Sequence, residues 1–109
     1  MKFKVAFEGL LLAISHKSVL IQFVLALITL IVCFILKLEL LEFVTILLCI
    51  GMVIVSEILN TCIELLCDLY LTSYDKRIKK IKDISAGAVL FASIISLIIG
   101  SMIFITHKL

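Results

Sequence analysis

The feature that most constrains this chain is VLIQFVLALITLIVCFIL at positions 19–36, an 18-residue run interrupted only by Gln22 and Thr29. That length is close to the roughly 20 apolar residues that cross a hydrocarbon layer about 30 Å thick. A second run, ISAGAVLFASIISLIIGSMIFI at 84–105, gives another crossing. Between them, residues 40–71 form a longer helical stretch, apolar in its first half (FVTILLCIGMVIV) and polar-striped in its second. It reads as one helix that crosses the membrane and protrudes beyond it. The chain is 64% hydrophobic, with no proline and four glycines, against roughly 45–50% apolar residues in soluble domains. A domain of 109 residues could not bury that much apolar surface within itself, so lipid must be its solvent. The expected fold is an all-α integral membrane domain spanning 1–109.

The charges order these segments. KLELLE (37–42) is a tight connection and TSYDKRIKKIKD (72–83) a longer basic one. Three crossings place the N-terminus and the second connection on one side. That side carries Lys2, Lys4, Lys17, Lys76, Arg77, Lys79, Lys80 and Lys82, eight of the ten cations, so positive charge marks it as cytoplasmic and the C-terminal HKL as outside. In residues 1–16, Phe3, Ala6, Phe7, Leu10, Leu11 and Ile14 share one helical face, with Lys4, Glu8 and Ser15 elsewhere. This is the pattern of an amphipathic helix lying in the interface rather than a signal peptide. Cys33, Cys49, Cys62 and Cys67 fit no zinc spacing and read as small apolar fillers. Ala88, Ala92, Ser96 and Gly100 recur every four residues, a small-residue line that permits close helix approach.

The chemistry lies in SEILNTCIELLCDL, residues 56–69. At about 100° per residue, Glu57, Asn60, Glu64 and Asp68 fall within an arc of about 80°. A carboxylate deep in lipid costs on the order of 2.5–3.5 kcal/mol, and Glu57 lies about 16 Å along the helix from Asp68 at about 1.5 Å per residue. Interhelical glue does not need three carboxylates in register. Carboxylates of this kind can hold Mg²⁺ together with substrate phosphates, and one more can take a proton from an alcohol. The basic run beside them attracts nucleotide phosphates, which together supplies the parts of a phosphoryl transfer at the lipid–water boundary. Neither a Walker loop nor a kinase-type glycine loop is present.

EILNTCIELLCDL, followed 14 residues after Asp68 by KDISAGAVL, resembles the prokaryotic diacylglycerol kinase family, most closely its Gram-positive branch, the undecaprenol kinases. The shared positions are Glu57, Asn60, Thr61, Ile63, Glu64, Asp68, Lys82, Asp83, Ala86, Ala88 and Val89. The resemblance implies a homotrimer with active sites shared between chains, in a bacterial cytoplasmic membrane. It implies ATP as co-substrate, Mg²⁺ as cofactor and a membrane lipid alcohol as acceptor, undecaprenol ahead of diacylglycerol; no nucleic-acid partner is expected. By the same resemblance Glu57 is the general base, which also meets the lipid hydroxyl, and Glu64 is the metal ligand. Asn60, Lys82, Asp83, Ser73, Tyr74 and Asp75 attend the nucleotide, Gln22 and Ala86 the lipid, and Asp68 supports the stripe. The chain departs from the family in SHKSVLIQF (15–23), where Lys17 stands in place of an expected metal-ligand glutamate. Lys17 would then either contact phosphate or leave the site weakly active or silent. A one-residue slip would put His16 there, which restores no carboxylate. TSYDKR likewise replaces the acidic residue and Tyr-His of relatives with Ser73 and Asp75. A small ion-coupled transporter is the distant alternative, although the first and third crossings carry no charge to complete a pathway.

Overall fold

A computed structural model describes residues 2–70 and 73–107. It contains four helices: α1 (Lys2–Ile14), α2 (Lys17–Ile35), α3 (Leu40–Tyr70) and α4 (Lys76–Thr106). Three of them, α2, α3 and α4, are long and apolar enough to cross a membrane. Met1, Leu71, Thr72, Lys108 and Leu109 lie outside the described residues. That removes from view Leu71 at the end of the expected third stretch, Thr72 at the start of the basic connection, and the last two residues of the HKL expected outside.

The helix ends follow from local chemistry. After α2 the Lys37 N–H donates to the Phe34 carbonyl at 3.2 Å and the Leu38 N–H to the Cys33 carbonyl at 3.3 Å. This pair of bonds closes a helix around a left-handed residue, and Lys37 takes that role with φ 56°, where glycine is the usual choice. At the start of α3 the Glu39 N–H donates to Glu42 Oε1 at 3.0 Å, the returning half of a capping box. For α4 the Asp75 side chain accepts the Arg77 N–H at 2.8 Å, a side-chain cap on one of the helix's unsatisfied amides.

That cap corrects one expectation. The connection expected over 72–83 is mostly helix, since α4 begins at Lys76. Lys, Arg and Ile at 76–82 contain no helix breaker, and Lys and Arg rank among the good helix formers. The charge that marks this segment as water-facing says nothing against its being helical.

α3 is the central element, packing against α4 most extensively and against α2 on its other side, while α1 rests on α2. The result is a slab, 54 × 36 × 20 Å. Its interior is slight: among the described residues Val19, Cys33, Ile46, Cys49, Cys67 and Ala92 are the buried apolar ones, beside four buried polar ones. Side chains such as Leu27, Leu48, Phe91 and Leu97 are left exposed, which only a hydrocarbon solvent tolerates in this number. Ala92 from the small-residue line is buried and Ser96 donates to the Cys49 carbonyl at 3.4 Å, so these two face α3; Ala88 is exposed.

Candidate functional site

The polar stripe divides into a buried half and an open half. Glu57 and Asn60 are each only 8% exposed, and Thr61 and Ser85 are as deeply buried. Glu64 and Asp68, one and two turns further along α3, are exposed. Periodicity puts all four stripe residues within one arc of the helix; burial divides them along its length. The Thr61 hydroxyl donates to the Glu57 carbonyl at 3.0 Å, satisfying itself along the helix. Asn60 Oδ1 has no hydrogen-bond partner although it is fully enclosed. An enclosed acceptor left unpaired carries a desolvation penalty on the order of 1–3 kcal/mol, which a ligand or neighbouring chain bearing an N–H or O–H would relieve.

The basic segment is organised by ion pairs. Lys82 Nζ donates to Asp68 Oδ1 at 2.8 Å, joining α4 to α3. Lys79 pairs with Asp83 at 2.6 Å within α4. Arg77 returns to Asp75 at 3.1 Å. The Arg77 side chain and N–H beside Asp75 hold its carboxyl below the usual range. Of the remaining nucleotide residues expected from the sequence, Ser73 and Tyr74 are exposed on the short connection before α4. Lys17 opens α2, exposed and without an ion pair among the described residues. Gln22 is half-buried on α2 and Ala86 exposed on α4.

Gln22 also lines a groove of about 690 Å³ between α2, α3 and α4. Its floor includes Ile46, Cys49 and Val53 of α3, and its α4 wall includes Ser96 and Phe104. Val53 stands one helical turn before Glu57, so the groove begins beside the buried end of the stripe. The volume lies within the roughly 300–1,000 Å³ of small-molecule sites.

Among the described residues, no three His, Cys, Asp or Glu side chains gather as a preformed metal cage. The donor set instead suits Mg²⁺, which keeps several waters and uses one or two carboxylates plus substrate phosphates. Glu64, exposed and with no ion pair among the described residues, is the stripe carboxylate open to such an ion. Two contributors were given no role by the sequence. Thr61 lies in the stripe, and its i+4 spacing from Glu57 was the available signal. Ser85 sits in the small-residue run after Asp83, where nothing separates a site hydroxyl from a packing residue.

The family model described as prokaryotic diacylglycerol kinase matches residues 4–104. The undecaprenol kinase of Bacillus subtilis (strain 168) is 40% identical over 72 residues, which is 66% of this chain and 58% of that protein's length. The aligned stretch thus spans somewhat over half of that relative. A match running from α1 to the last turns of α4 takes in every helix, and the chain belongs to the prokaryotic diacylglycerol kinase family.

Proposed function

We propose that the protein is a membrane lipid kinase that transfers the γ-phosphoryl group of ATP to a lipid alcohol, undecaprenol in preference to diacylglycerol. The observation that carries this reading is a buried carboxylate, Glu57, one turn of α3 beyond Val53, which lines an apolar groove, with the unpartnered Asn60 in the next turn. The lipid chain lies along the groove and its hydroxyl reaches Glu57. Glu57 takes the hydroxyl proton as the oxygen attacks the γ-phosphorus; the bond from that phosphorus to the ADP oxygen breaks and ADP leaves. Asn60 orients the reacting groups. Lys82, with Ser73, Tyr74, Asp75 and Asp83, lies at the water-facing end where the nucleotide enters, and Gln22 and Ala86 attend the lipid. Glu64 would hold Mg²⁺, which when bound neutralises phosphate charge. Lys17, exposed at the start of α2, would contact phosphate.

In this reading the stripe end and N-terminus face the cytoplasm, because the cations gather there, and the C-terminus lies outside. The exposed Phe3, Phe7 and Leu11 of α1 rest in the interface, where such side chains find apolar surroundings. Three copies assemble with shared sites, which supplies partners for apolar surface that one slab leaves open. Undecaprenol is favoured over diacylglycerol by the similarity to the Bacillus subtilis enzyme. The purified protein, given ATP, Mg²⁺ and each lipid separately, should phosphorylate both, undecaprenol faster. No product from either lipid would end the kinase reading, and diacylglycerol as the faster substrate would reverse the preference.

A further inference from the structure

The cations of the basic segment differ in what holds them. Arg77 and Lys79 are each paired with a carboxylate within a turn of their own position, on α4 or at its cap. Lys82 instead reaches across to Asp68 on α3, 14 residues earlier. Its Nζ lies 2.8 Å from Asp68 Oδ1, with the two side chains 36% and 64% exposed. An ion pair this open contributes roughly 0–1 kcal/mol to stability, so its consequence is geometric. It holds a flexible lysine at Asp68, one turn of α3 beyond Glu64 at the open end of the stripe. A lysine ammonium has three N–H donors. Asp68 takes one, and two remain for an incoming anion.

We propose that Asp68 is a positioning residue: it holds the Lys82 ammonium at the Glu64 end of the stripe, as a preformed contact for the terminal phosphates of a nucleoside triphosphate. This rests on the kinase reading for the identity of the anion and on the Lys82–Asp68 contact for the geometry. Holding the lysine in place removes rotamer freedom before the ligand arrives, while Asp68 and Glu64 together discourage any anion that does not bring its own cation. The pair therefore selects for the Mg²⁺-complexed nucleotide over the bare one.

The test is binding of a non-hydrolysable ATP analogue with Mg²⁺ to the full chain in micelles. The native protein is compared with Asp68→Asn, Lys82→Gln and the double variant. Asp68→Asn should weaken binding about 3- to 10-fold, in the range over which contacting polar pairs couple. The double variant should bind no worse than Lys82→Gln alone, and Asp68→Glu should recover most of the loss. In turnover the Asp68→Asn defect should fall mainly on KM for ATP. A merely structural defect would lower kcat and disturb KM for the lipid as well. Undiminished weakening by Asp68→Asn in the Lys82→Gln background would overturn the inference, as would tighter binding by Asp68→Asn or no binding by the native chain. Native protein that shows the coupling yet phosphorylates neither lipid would sink the lipid-kinase reading and leave the inference standing.

Discussion

The two ends of the helical slab solve the same problem in opposite ways. Away from the stripe, His107 closes α4 onto the turn between α2 and α3. Its Nδ1 lies 3.0 Å from Glu42 Oε1 and its Nε2 3.0 Å from the Leu36 carbonyl oxygen. Both side chains of that contact are largely enclosed, 12% and 20% exposed, and Glu42 also receives the Glu39 amide. At the stripe end the ion pairs are open to water and an enclosed acceptor, Asn60 Oδ1, goes unmet. One end is a clasp, in which His107, Glu42 and the Leu36 carbonyl meet one another within the chain. The other leaves groups waiting. Elements with one job, holding helix ends together, can satisfy themselves completely, whereas a site must keep some valence for what it binds.

The largest effect expected is at the stripe. Glu57→Gln should lower turnover by roughly 10²–10⁴-fold, the usual worth of a general base, with an unfolding transition in micelles close to native. Activity retained in that variant would remove Glu57 from the role of base. The contrast is sharpened by His107→Ala, which removes the side-chain partner of the Leu36 carbonyl and leaves Glu42 with the Glu39 amide. It should cost about 1–3 kcal/mol of stability while the folded fraction keeps its affinity for nucleotide. A nucleotide-binding defect there would mean the clasp and the site are not separate. Lys37→Gly, relieving a left-handed non-glycine residue in the same turn, should stabilise by about 1 kcal/mol. Its φ of 56° makes the gain readable in the same unfolding assay, and destabilisation would show that the lysine side chain has a contact worth more.

The smallest effect is one of pH. Asp75 has its pKa lowered in the folded state by Arg77. Its contribution is therefore complete above the ordinary carboxylate range and fades as pH falls through the depressed folded value. Unfolding curves of native protein and Asp75→Asn should accordingly differ at neutral pH and converge in acid. A gap that stays constant into strong acid would mean the carboxylate charge is not what caps α4.

Much of this was legible from residues alone. The all-helical class and three long apolar helices follow from composition and run length, because the bilayer permits a lone segment few other forms. The stripe follows from the spacing of Glu57, Asn60, Glu64 and Asp68. What spacing cannot give is depth: a helical projection assigns an angle, and only the packed helices separate enclosed Glu57 from open Glu64. The early start of α4 was hidden because water-facing charge and a loop look alike until the Asp75 cap is seen. His107 and Glu42, 65 residues apart, meet only through the antiparallel run of α3 and α4. Lys82 and Asp68 could each be named in advance, but their contact could not.

The slab's shape carries a kinetic consequence. α2 and α4 flank α3 with at most a marginal contact between them, so the groove between them lies among helices that are themselves bathed in lipid. On the proposed reading, a lipid substrate arriving by that route never leaves the bilayer, and its encounter with Glu57 is a search in two dimensions. Occupancy of the groove would then follow the mole fraction of lipid alcohol in the surface rather than its amount per litre. Diluting the bilayer with an inert lipid at constant bulk concentration should slow the enzyme, while adding more vesicles of fixed composition should leave each molecule's rate unchanged.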